Sequence, residues 1–351
     1  MVNKYKYKDL IKSIPLALAV VFFSCHENKN ARHIEPSFYY WKSVFKWSDF
    51  EKQRLDSLHV QTLYVKFFDV DWDEAAKIPV PVAPLQYAGY TTQSNMQIIP
   101  TVFITNACIQ KIDSSQVILL ANDIIGMIKK ITGANHFTQP AREIQIDCDW
   151  TASTKEKYFK LLSAIKQQSG ITTLSATIRL YQVKYLNKTG VPPVDKGLLM
   201  CYNMGNLKDP ATKNSILETE ELKKYIGNLP GYPLPLDVAL PLFEWKVLFR
   251  NHVYKGLIQN LPGSFFTNAF TIKKYNRVEL LQDTLLQGYD LKKGDIVRTE
   301  ESTYNEIIAA TEIINAQLKN TRARVALYHM DSVILSKYTL HELEDIYNSM
   351  R

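Results

Sequence analysis

The segment Glu143-Ile144-Gln145-Ile146-Asp147-Cys148-Asp149-Trp150 reads as a short strand with an acidic end. Side chains two apart in a strand share a face. Asp147 and Asp149 are therefore expected on one side, about 6.6 Å apart along the strand. Burying two carboxylates is costly unless they are paired or do work. Two neighbouring carboxylates also repel, which raises the proton affinity of one. The bland alternative is a pair of aspartates that cap the next helix or bond loop amides.

Outward from this segment, short apolar runs alternate with amphipathic stretches from residue 38 onward, which argues for βα units and a parallel sheet. The runs before it are Phe38–Phe45, Thr62–Phe68 and Gln97–Thr105. After Glu143–Asp149 come Thr173–Leu180, Gly197–Asn203, Asp237–Phe243 and Arg324–His329. Helices are expected after Ser48, over Ser114–Ile131, Thr154–Gln168, Ser302–Lys319 and Thr339–Asn348. Ser48 with Glu51 three residues on forms a capping box, and Ser302 is a plausible cap. Eight strands with helices between them predict an α/β fold, a closed (β/α)8 TIM barrel over residues 37–351. A long insertion, about 246–298, follows the seventh strand and is read either as a lobe over the barrel mouth or as a surface loop.

The first 25 residues look like an address. A lysine-bearing stretch (Lys4, Lys6, Lys8, Lys12) precedes the apolar run Ile14–Phe23 and then Ser24-Cys25. That order fits a secretory signal, and the apolar run is too short to span a bilayer. A small residue before a Cys resembles a bacterial lipobox, which implies lipidation at Cys25 and anchoring in the cell envelope, at the outer membrane or periplasmic face. Residues 26–36 then read as a tether. The chain carries 42 basic and 35 acidic side chains; without Lys4, Lys6, Lys8, Lys12 and Asp9 the balance is 38 to 34. The charges are interspersed, so nucleic acid is not an expected partner. Cys108, Cys148 and Cys201 remain, an odd number that argues against a disulfide framework and for buried thiols. No zinc spacing, phosphate loop or nucleophile elbow occurs, so neither a metal nor a cofactor is expected.

In a barrel of this kind chemistry gathers where the strands end. Ser175, Thr177 and Arg179 share a face of the fifth strand, and Arg179 could pair with Asp147 or Asp149. Lys66 and Asp69 end the second strand; Lys66 is either an interior cation or a snorkelling surface residue. Glu244 and Trp245 end the seventh, with Glu244 either a donor carboxylate or a rim residue. Trp41 and Trp245 could stack on a sugar face or simply pack. His329 and Asp331 end the eighth strand as an i, i+2 pair.

The fourth strand ending in Asp-x-Asp-Trp, with Met200-Cys-Tyr202-Asn203 on the sixth, resembles the family 18 glycoside hydrolases, the chitinase-like barrels. That family carries D-x-x-D-x-D-x-E on strand four and M-x-Y-D/N on strand six. Asp147 and Asp149 match the second and third aspartates, and Met200 and Tyr202 match the strand-six pair. The resemblance implies that Asp149 orients a substrate acetamido group and that Tyr202 supports the same step. Ile144 stands where the family has its first aspartate, and Thr151 where it has its catalytic acid. Thr cannot protonate a leaving oxygen as a carboxylic acid does. Two readings follow: a glycosidase-like barrel using Asp147, Asp149, Tyr202 and Glu244, or a non-catalytic glycan-binding lipoprotein on the same scaffold. In both, the partner is a glycan or oligosaccharide and the membrane is engaged through the N-terminal lipid.

Overall fold

Each apolar run pairs on both edges, and the eight together close into a cylinder. The computed structural model describes residues 32–88, 96–134, 137, 141–258, 271–286 and 288–351. The leader, Cys25 and the tether up to residue 31 lie outside the described residues. The barrel strands are, in order, His33–Tyr40, Thr62–Asp73, Gln97–Ile104, Glu143–Asp147, Thr173–Arg179, Lys196–Met200, Leu236–Pro241 and Arg322–Tyr328. Neighbours in sequence are neighbours in the barrel, every pairing is parallel, and the first strand closes the ring against the eighth and the second.

Several boundaries differ from the sequence reading. The first strand starts at His33, because His33 to Phe38 align with Arg322 to Leu327 in parallel register. Val44–Phe45 instead pairs with Gln86–Tyr87. The helix after the insertion runs Tyr304–Gln317 and is capped by Thr303, whose hydroxyl accepts from the Glu306 amide. Ser302 donates its own hydroxyl to the Phe243 carbonyl. The capping box of Ser48 and Glu51 is present, with both reciprocal bonds.

Alternation along the strands divides inside from outside. Ile144 and Ile146 face the helices and are buried. Glu143, Gln145 and Asp147 point inward. At the base of the barrel, Arg324 donates to Glu35 and Glu143, and Lys196 donates to Asp237. The Tyr64 hydroxyl also donates to Asp237. These ion pairs close the N-terminal end, the face where such barrels keep structural contacts. One layer up, the Tyr39 hydroxyl donates to Gln145 at 2.6 Å. The interior is thus filled below and free only at the C-terminal mouth.

The seventh strand ends at Pro241, which brings no N–H donor to the ladder. Glu244–Arg250 then opens a separate antiparallel sheet, so Glu244 and Trp245 belong to that sheet and not to the barrel strand. Its order is Val253–Ile258, Glu244–Arg250, Ile296–Glu301, Arg277–Leu280, Thr271–Lys274. Leu248, Ile258, Val278, Leu280, Leu291 and Val297 form its own small core. Arg298 fastens it to the loop after the sixth strand by donating to the carbonyls of Asp209 and Leu207.

Candidate functional site

A cavity of about 1210 Å³ opens at the mouth. Of the residues singled out from sequence, Trp41, Asp69, Asp147, Arg179, Met200, Tyr202, Glu244, Trp245, His329 and Asp331 line it. Lys66 reaches it through Asp69. Two do not behave as the strand pattern implied, and both differences have a local cause.

The second strand carries a bulge between Lys66 and Phe68. Tyr64 and Lys66 share the inward face, and the extra residue shifts the parity so that Asp69 follows them inward. Lys66 Nζ then donates to Asp69 Oδ2 at 2.9 Å and sits 5.8 Å from the Trp41 ring centroid. Lys66 is therefore an interior cation. Asp69 Oδ1 is buried without a partner.

The fourth strand stops at Asp147. Beyond it the chain turns, fixed by Trp150, whose indole N–H donates to the Thr189 carbonyl and whose ring stacks on Tyr158. Asp149 therefore does not join Asp147 in the main cavity. It lines a neighbouring cavity of about 340 Å³, with Thr151, Tyr181 and Tyr225. Arg179, Tyr202 and Asn203 border both. Of the two aspartates open to Arg179, the structure selects Asp149, which accepts from Nε and, at 2.7 Å, from Nη2. Burial works against the charged guanidinium, and the bonds and charge of Asp149 outweigh it, so Arg179 stays protonated.

Asp147 lies at the cavity floor and accepts a hydrogen bond from Thr177 Oγ1 at 2.6 Å. Burial, then repulsion from Asp149, pushes its carboxyl up to about 6 against the opposing pull of Thr177 and Arg179. Tyr202 is buried and its hydroxyl has no partner among the described residues. Burial, reinforced by Tyr39 and Tyr328, keeps that hydroxyl protonated. Such an orphaned donor facing a cavity asks for a ligand oxygen.

The other acids are held in ion pairs. Burial pushes Glu244 towards its neutral form, but Lys337 at 2.6 Å and Lys246 at 3.3 Å prevail and lower it below the usual range. Asp331 accepts from the Val333 and Ile334 amides, capping the helix Ser332–Leu335, and pairs with Lys42 at 3.0 Å. His329 is held neutral, chiefly by burial, and its Nδ1 has no partner.

Aromatic rings make a continuous wall. Trp41 meets Tyr328 at 5.8 Å between centroids, Tyr328 meets Tyr202 at 5.3 Å, and Phe243 joins Tyr202 to Trp245. Trp245 is steadied by its indole N–H, which donates to Glu300 at 2.7 Å. Sequence reasoning missed Tyr328, Phe243, Phe103, Lys42, Lys246, Lys337 and Glu300. Tyr328 and Phe103 follow from inward alternation on their strands. The lysines and Glu300 left no such trace.

No protein-family model and no curated protein matches the sequence. Solved structures do match in fold. The spore cortex-lytic enzyme SleL of Bacillus cereus superimposes with a TM-score of 0.51 at 12% identity, covering 91% of this chain and 75% of that one. SleL of Bacillus megaterium gives 0.53 at 10%, covering 91% and 74%. A mutant family 18 chitinase from Cycas revoluta, in complex with (GlcNAc)4, gives 0.53 at 11%, covering 90% and 99%. The fold is that of the chitinase-like (β/α)8 barrels.

Within this barrel the two departures in the strand-four motif have structural meanings. Ile144 is an outward, helix-facing residue. Thr151 belongs to a hydroxyl cluster: its amide donates to Thr154 Oγ1 at 2.9 Å, and its own hydroxyl bonds Ser153 at 2.9 Å. Thr154 in turn donates to Asn106 at 2.7 Å. The position is committed to shaping the turn into the helix Lys155–Ser169.

Proposed function

We propose that the chain binds a glycan at the mouth of the barrel. The observation that carries this reading is the buried, unpartnered Tyr202 hydroxyl set in an aromatic wall beside Asp147. A pyranose ring offers apolar C–H faces to Trp41, Tyr328 or Trp245 and hydroxyls to Tyr202, Asp147, Asp69 and His329. The Cycas revoluta chitinase was solved with (GlcNAc)4, which makes an N-acetylglucosamine chain the first glycan to try. Hydrolysis by the family's route has no acid here, because Thr151 occupies that position. Glu244, held ionised by Lys337 and Lys246, is a poor proton donor.

A second reading is favoured by one observation: Asp147 keeps its proton up to about 6 while facing the same cavity. It could serve as the acid of a hydrolase built differently from the family. Calorimetric titration with (GlcNAc)4, followed by an assay for new reducing ends, separates the two. Saturable binding without turnover is the expected result. Turnover abolished by Asp147→Asn would establish the second reading. No binding of this chain or of any oligosaccharide on a glycan array would remove both.

We also propose that the protein works at the cell envelope, anchored through Cys25. The support is the order of basic stretch, apolar run and Ser24-Cys25. Labelled palmitate should enter the wild type and not Cys25→Ala; an unlabelled wild type would overturn the anchor.

A further inference from the structure

Each cation at the mouth meets a carboxylate, and at one corner the cations are in excess. Asp69 is paired with Lys66, Asp149 with Arg179, and Lys42 is shared by Asp331 and Glu51. Glu244, by contrast, is shared by two lysines, Lys246 and Lys337. One positive charge is left over there. Lys246 is 5% exposed, so its ammonium is largely out of water. It meets the Glu244 carboxylate at 3.3 Å, a long contact, while Lys337 takes the nearer bond at 2.6 Å. An ammonium carries three donors. Among the described residues this buried ammonium has one distant acceptor, and desolvation makes that costly. Glu301 stands opposite Glu244 in the sheet, but it is exposed and does not line the cavity. Lys246 and Lys337 do line it, next to Trp245.

We infer that this corner receives a carboxylate carried by the bound glycan, so that the ligand is an acidic oligosaccharide and not a neutral one. The inference rests on the glycan reading above and specifies the chemistry of the ligand. A carboxylate placed there completes the lysine donors and cancels the excess charge, in a site where water screens little. The opposite end of the cavity suits the neutral part of the chain, since Asp147 at the floor would repel an anion. Two sources of a sugar carboxylate are an oxidised C6 and an acid ether on a ring hydroxyl, and both present the same group to the lysines.

The test compares three probes by calorimetry with the full-length protein at low salt: (GlcNAc)4, the same tetrasaccharide oxidised to carboxylates at C6, and a GlcNAc–MurNAc tetrasaccharide bearing lactyl carboxylates. At least one carboxylated probe should bind about tenfold more tightly than (GlcNAc)4, as expected for charge-assisted hydrogen bonds. The better of the two identifies the source of the acid. The preference should shrink in Lys337→Met, whose side chain is partly exposed, and vanish in Lys246→Met. Salt should erode the preference and leave neutral binding in place. Equal or tighter binding of (GlcNAc)4 by the wild type would overturn the acidic ligand while leaving the glycan reading intact. Failure of all three probes, with a glycan array also blank, would overturn that reading and this inference with it.

Discussion

Arg179 reaches from the end of the fifth strand to hold Asp149, just past the end of the fourth, with two parallel donors on the two carboxylate oxygens. The pair forms the partition between the main cavity and its neighbour. A fork-on-fork contact of this kind is geometrically specific as well as strong. Asp149 is nearly half exposed, so removing Arg179 leaves a carboxylate that water can serve. Removing Asp149 strands a better buried guanidinium. Asp149→Asn is therefore expected to destabilise more than Arg179→Met. The double-mutant cycle should return a coupling of about 1–3 kcal/mol in urea unfolding. A coupling indistinguishable from zero would show that the partition is maintained by packing alone.

Asp147 makes stability depend on pH in a defined direction. The folded protein holds this proton up to about 6, whereas an ordinary aspartate releases it near 3.8. Between those values the unfolded chain binds fewer protons than the native one, so stability falls as pH rises through the window. Burial raises it most, Asp149 and Asp69 add to the rise, and Thr177 and Arg179 oppose it. A displacement of this size corresponds to about 3 kcal/mol. Asp147→Asn keeps an acceptor for Thr177 and removes the charge. The stability advantage of Asp147→Asn over the wild type should grow from pH 4 to pH 6.5 and then level off. An advantage that stays constant across that range would mean the carboxyl titrates normally.

Tyr202→Phe separates ligand binding from folding. The hydroxyl is buried and bonds nothing among the described residues, so its removal leaves none of them unsatisfied. Stability should stay within about 1 kcal/mol of the wild type, or rise. Affinity for the bound glycan should drop about tenfold. Calorimetry and thermal melting together read both effects; a destabilised variant with unchanged affinity would assign the hydroxyl to the fold.

The antiparallel sheet hangs on the pair formed by Arg298 and Glu300. Both side chains are 0% exposed and meet at 2.5 Å. Glu300 also accepts from the Ser215 amide and hydroxyl and from Trp245. Glu300→Leu leaves a fully buried guanidinium without its counter-charge, which costs about 3–5 kcal/mol. Adding Arg298→Met should restore part of that loss, because the stranded charge goes with it. If the double variant is as unstable as the sum of the singles, the buried charge is not the source of the cost. Trp245 fluorescence should shift in both variants, since its indole loses its acceptor.

Much of the barrel is readable from the chain. Runs such as Glu143–Asp147 and Thr173–Arg179 are short, apolar on the helix-facing side and spaced by amphipathic helices, which leaves a closed parallel ring as the economical way to bury them. Ser48 with Glu51 and Thr339 with Glu342 are capping boxes set by local bonds, so they too can be read locally. Inward positions such as Asp147, Thr177 and Arg179 follow from alternation while a strand lasts.

The site itself was legible only in part. Residues on strands could be assigned a face, whereas residues just beyond strand ends could not. Asp149 and Asp147 look equivalent in sequence, yet the turn at Trp150 sends them to different cavities. Asp69 reaches the mouth because of a bulge that no pattern of residue types announced. Lys246 and Lys337 lie about ninety residues apart, on an inserted strand and near the C-terminus, and only their meeting on Glu244 gives the corner its charge.

The amino-acid sequence alone determined the eight-fold alternation, the inward face of each strand and the absence of a carboxylate at position 151, because these depend on periodicity and residue type. The tertiary structure alone decided which acids are neutralised, which one keeps its proton, and where an unmatched cation faces the cavity. Pairing and proton affinity depend on distance and burial across the fold, and neither is carried by neighbours along the chain.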